Sequence, residues 1–100
     1  MSTATKVTIK PNLKTKEPKM FKVIYLNDDV TTMDFVVGSL VTFFDHSEPS
    51  AIDITQQIHQ SGSAVVALLP HEIAEQKHTE VLSEAQSQGF PLQVKIEADA

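Results

Sequence analysis

Phe21-Lys22-Val23-Ile24-Tyr25-Leu26-Asn27-Asp28-Asp29-Val30-Thr31-Thr32-Met33 is the stretch whose reading decides the fold. Its first six residues are mostly β-branched, aromatic or aliphatic, which predicts a short strand. The three carboxylate and amide side chains that follow favour turns and local backbone bonds, so the strand ends there. Thr31 and Thr32 can cap a helix, and Thr31 with Asp34 has the spacing of a capping box. From Met33 onward Val36, Val37, Leu40, Phe43 and Phe44 recur at helical spacing. Gly38 lies inside that helix and weakens it by up to ~1 kcal/mol relative to Ala.

The rest of the chain extends this pattern. Ser47, Glu48 and Pro49 open a second helix. Ala51, Ile54, Thr55 and Ile58 make one face of it, and Gly62 is its C-terminal stop. Residues 64–69 form a continuous apolar run too short for a helix, which predicts a strand buried on both sides. Pro70 begins a third helix with Glu72 and Glu75 near its positive end. Ala74, His78, Val81 and Ala85 are its inner face, and Gly89 ends it. Leu92, Val94 and Ile96 alternate with polar residues as a half-buried strand. The order β-α-α-β-α-β predicts an α+β two-layer domain, three helices packed on a small three-stranded sheet. Periodicity leaves the strand order open.

One hundred residues allow a single domain. Residues 1–19, with Pro11, Pro18, many Thr and Lys and no regular period, read as a flexible extension, and residues 20–100 as the folded body. No apolar run reaches the ~18 residues of a membrane span, and the polar N-terminal stretch lacks the apolar centre of a secretory signal. Cysteine is absent, which excludes disulfides and thiolate metal sites. A soluble cytoplasmic protein is expected. Five lysines against Glu17 give residues 1–19 a formal +4, while three lysines against twelve acids give residues 20–100 a formal −9. A body of that sign repels phosphates, and the chain has no Arg to grip them, so no nucleic-acid partner is expected. A cationic ligand suits it better.

Catalytic signatures are missing. There is no thiol nucleophile, no serine elbow and no glycine-rich phosphate loop. His46, His59, His71 and His78 are dispersed and form no metal-ligand motif, so neither a metal nor a cofactor is expected. Asp28 and Asp29 are adjacent in a turn and point apart, which prevents them from sharing a proton. The chain is therefore read as a binding protein rather than an enzyme. Two readings are open for Asn27-Asp28-Asp29: an Asx-turn leading into a capped helix, or a recessed acidic site for a cation. His59, at the edge of the second helix's inner face, is either a histidine bonded to a carbonyl or a ligand-facing group.

Taken together, three segments resemble the ClpS family, the bacterial and plastid adaptors of the N-end rule. The run from Lys22 to Val37, with Asn27-Asp28-Asp29, Thr31 and Met33, looks like its opening motif. Ile58-His59 before Gly62 looks like its histidine motif, and Glu72-Ile73-Ala74-Glu75-Gln76-Lys77 resembles its third-helix signature. Pro91 and Leu92 match the start of its last strand. The resemblance implies a pocket for N-terminal Leu, Phe, Tyr or Trp. Asn27, Asp28 and His59 would hold the substrate's α-amino group. Asp29, Thr31, Met33, Thr55, Ile58 and Leu92 would line the side-chain pocket. Glu72 and Lys77 would face the N-terminal domain of a ClpA- or ClpC-type unfoldase. A monomeric adaptor is implied, with residues 1–19 serving delivery.

The chain departs from the family at four positions. Thr32 stands where proline is usual, Thr55 where Met is usual, Pro70 where a capping Thr is usual, and Val30 where an aromatic is usual. These departures admit an alternative: a paralogue that docks on the unfoldase without reading N-terminal residues.

Overall fold

In the computed structural model, residues 19–99 are described. Three strands, β1 (Met20–Leu26), β2 (Ser63–Pro70) and β3 (Gln93–Ala98), and three helices, α1 (Met33–Phe44), α2 (Glu48–Ser61) and α3 (His71–Ser87), follow the order β1-α1-α2-β2-α3-β3. The sheet order is β2-β1-β3, with both pairings antiparallel. The helices pack on one face. The predicted extension over residues 1–19 lies, apart from Lys19, outside the described residues. No described helix is long and apolar enough to cross a membrane.

The central place of β1 explains its burial. Val23 and Tyr25 are wholly inaccessible, and they join Leu40, Ala51, Val66, Ala74 and Val81 in the core. The Tyr25 hydroxyl donates to Ser39 Oγ at 2.8 Å, and Ser39 Oγ donates to the Val36 carbonyl at 2.8 Å. This chain satisfies two buried hydroxyls inside an apolar layer. Burial drives the Tyr25 phenol well above its ordinary range, only partly offset by the Ser39 bond.

Two expectations are corrected. β2 is an edge strand covered on one face only: Val65 and Leu68 are about half exposed while Ala64 and Val66 are buried. Its apolar run continues across a bulge, where the register shifts between Val23 and Ile24. The Val66 carbonyl within that bulge accepts from His46 Nε2 at 2.7 Å. On the opposite edge strand the Val94 carbonyl accepts from His78 Nε2 at 2.9 Å, so an imidazole blunts each edge of the sheet.

The second correction concerns the start of α1. Thr32, not Thr31, is the N-cap, and its hydroxyl accepts from Phe35 N at 3.1 Å. Thr31 is drawn backwards into the turn by Asp28, so the Thr31–Asp34 capping box does not form. Ser47 caps α2, and Gly62 at φ 93° ends it. Pro70 precedes α3 without a side-chain cap.

Candidate functional site

The turn after β1 is organised by one carboxylate. Asp28 Oδ1 accepts from the main-chain N–H of Val30 at 2.8 Å and of Thr31 at 2.7 Å, and Oδ2 accepts from Thr31 Oγ1 at 2.8 Å. Burial alone would raise the Asp28 pKa. The Thr31 backbone and hydroxyl bonds and the Val30 bond outweigh it and hold the carboxyl below its ordinary value of 3.8. The Asx-turn reading of the triplet is thus correct, and it leaves room for a ligand. A carboxylate offers about four lone-pair positions. Three are used locally, which leaves one on Oδ2.

The same turn is tied to the end of α2. Asn27 N donates to the Gly62 carbonyl at 2.8 Å, which continues the β1–β2 ladder by one bond. Gly62 N in turn donates to the Ile58 carbonyl at 2.9 Å. Two main-chain bonds therefore connect the acidic turn to the helix turn that carries Ile58 and His59.

Between these elements and α1 lies a recess of about 290 Å³. Asn27, Asp28, Asp29 and His59 contribute its polar groups, Met33 and Thr31 come from the entry to α1, and Thr55 and Ile58 come from α2. Ile58 and Thr55 are buried, whereas Met33 is 47% exposed at the mouth. The Thr55 hydroxyl donates to the Ala51 carbonyl at 2.7 Å, so its one polar hydrogen is spent within the helix. The Asn27 and His59 side chains take no hydrogen bond from another described residue and are free to meet a ligand. Of the nine residues expected around the substrate, three at its α-amino group and six in the side-chain pocket, eight share this recess. Leu92 does not: it is buried in the core just before β3 and does not line the recess. Val36, one helical turn after Met33, lines it and was missed, although that spacing was the available signal.

Glu72 and Lys77 stand apart on α3. Glu72 is exposed in the first turn. Lys77 is half-buried and lies 3.8 Å from Glu80. Among the described residues no group of three His, Asp or Glu is placed to hold a metal ion.

A three-stranded antiparallel sheet under three helices, with an acid- and imidazole-rimmed recess between two of them, has the architecture of a small α+β adaptor domain. The family model described as ATP-dependent Clp protease adaptor protein ClpS matches residues 16–95. The chain belongs to the ClpS family. An ATP-dependent Clp protease adapter protein ClpS from Desulfatibacillum aliphaticivorans is 44% identical over 93 residues, covering 93% of this chain and 89% of the relative. The ClpS of Rhodospirillum centenum is 41% identical over 96 residues, 96% of this chain and 89% of that one. The structure of Agrobacterium tumefaciens ClpS2 bound to L-phenylalaninamide has a TM-score of 0.79 at 37% identity, and covers 83% of this chain and 100% of that one. The chain is thus an adaptor of the Clp protease.

Proposed function

We propose that this adaptor captures proteins by an N-terminal Leu, Phe, Tyr or Trp and delivers them to the N-terminal domain of a ClpA- or ClpC-type unfoldase. The observation that carries the reading is the convergence of Asn27, Asp28 and His59 at the mouth of one recess whose deeper walls are Val36, Thr55 and Ile58. An α-ammonium is a three-donor cation, and these side chains offer a carbonyl, the remaining lone pair of a carboxylate and a ring nitrogen. A charge-assisted bond to Asp28 contributes roughly 1.5–3 kcal/mol. Burying one Leu or Phe side chain adds roughly 1.5–3 kcal/mol. Association entropy consumes either term alone, so both are needed. An internal Leu has an uncharged amide in place of the ammonium and is passed over. The ClpS2 neighbour was solved with L-phenylalaninamide, a ligand with a free α-amino group and one aromatic side chain.

Glu72 and Lys77 on α3 are assigned to the unfoldase contact, away from the recess. The adaptor acts as a monomer in the cytoplasm. The reading is tested with a folded reporter bearing N-terminal Phe, a Clp unfoldase–peptidase, and this chain added or omitted. Degradation should depend on the chain. Reversing the charges of both Glu72 and Lys77 should stop delivery and leave peptide binding within twofold of wild type. Full delivery by that double variant removes the docking assignment.

A further inference from the structure

Helix α1 separates two concavities. The recess lies on its α2 side. On its α3 side runs a groove of about 470 Å³, with Phe35 and Phe43 as apolar walls, Gly38 between them, and Glu84 opposite on α3. Gly38 is the informative residue. A glycine inside an exposed helix weakens it relative to Ala, and a Cβ built there meets no atom within 4 Å. Nothing in the packing of the described residues calls for it. Its effect is to leave bare main chain along the groove. The rim is acidic, with Asp34 on α1 facing the same groove as Glu84. The ion pairs among the described residues involve neither.

We propose that this groove is a second subsite for the polypeptide whose first residue enters the recess, and that it takes an apolar side chain flanked by Lys or Arg about four to six residues from the N-terminus. The inference rests on the N-terminal reading above. The two concavities flank the start of α1, where Thr31 and Met33 line the recess while Thr32 and Asp34 line the groove. A helix with its side chains is ~10 Å across, and an extended chain advances ~3.3 Å per residue. About three residues therefore carry a bound chain from the recess across the first turn of α1. The phenyl walls suit an apolar side chain, and the two carboxylates attract cationic neighbours and repel acidic ones.

The test uses the full chain and three N-terminal Phe ligands: L-phenylalaninamide, a three-residue peptide, and a ten-residue peptide with Leu at the fifth position between lysines. Gly38→Leu fills the groove with a better helix former. It should leave L-phenylalaninamide binding within twofold and weaken the ten-residue peptide at least fivefold, to the level of the three-residue one. Glu84→Lys should weaken the ten-residue peptide and strengthen a copy with Asp in place of its lysines. A melting temperature at or above wild type for Gly38→Leu shows that the variant folds. Equal wild-type affinity for the three- and ten-residue peptides, or unchanged binding of the longer one in both variants, overturns the second subsite. A wild-type dimer in sedimentation that Gly38→Leu dissociates also overturns it, since the occupant is then a second copy. Failure of L-phenylalaninamide to bind the wild type is a different result and overturns the recess reading instead.

Discussion

Asn27 and Gly62 are joined by a main-chain hydrogen bond of 2.8 Å that holds the acidic turn of β1 against the end of α2. Gly62 adopts φ 93° there, a conformation that costs an L-residue roughly 1–2 kcal/mol. Gly62→Ala should therefore lower the melting temperature by about 4–8 °C for each kcal/mol lost. It should also weaken N-terminal Phe peptides, because His59 and Asp28 lose their fixed separation. Calorimetry and peptide titration check this together. A variant that melts and binds like wild type shows that this link does not position the site.

Asp28 has two tasks that one substitution can separate. Asp28→Asn keeps an oxygen for the Val30 and Thr31 amides and an N–H for the Thr31 hydroxyl, but removes the charge. Folding should be close to wild type, and Phe-peptide affinity should fall about tenfold or more, the lower bound of a charge-assisted bond. Asp28→Ala loses the turn as well and should cost about 0.5–2 kcal/mol of stability, as capping deletions do.

The lowered pKa of Asp28 sets a pH signature. Because the folded value lies below the ordinary 3.8, the turn's contribution is complete above that range and is lost as pH falls through the lower folded value. On the alkaline side the peptide's own α-amino group, with a pKa of about 8, loses its proton and binding should fall. Titrations across pH should show the alkaline limb in both wild type and Asp28→Asn, with the step that lies below pH 3.8 in wild type alone.

Specificity should follow the two ends of the recess. Met33, half exposed at the mouth, should exclude side chains branched at Cβ, so that Ile and Val bind worse than Leu by roughly 1–3 kcal/mol. Met33→Ala should admit them. At the buried end, the short Thr55 wall should leave room for a ring. Phe, Tyr and Trp should bind at least as well as Leu, and Thr55→Met should shift preference toward Leu. Equal binding of Ile and Leu by wild type removes Met33 as the gate, and unchanged ratios in Thr55→Met remove Thr55 from the pocket.

What the sequence made legible was local. The strand, the Asn27-Asp28-Asp29 turn and the three amphipathic helices each carry their signal within a few residues, and the structure places them as read. The errors came where the answer depends on distant neighbours. Residues 64–69 look the same whether a second layer covers both faces or one, and it is the packing of the helices on a single face that leaves Val65 and Leu68 outside. Thr31 and Thr32 are equivalent caps until Asp28 claims the first. The motif that offered Leu92 carries no information on depth, and the structure buries that residue in the core just before β3. The α1–α3 groove joins Phe35 to Glu84, a separation no local pattern spans.

The central claim is that the site reads a free α-amino group together with one hydrophobic side chain. A short peptide with N-terminal Phe, titrated beside its N-acetylated copy, tests it most directly. Acetylation keeps the ring and removes the charge, so the account predicts measurable binding of the free peptide and at least a tenfold loss in the acetylated one. Equal binding of the two would contradict it.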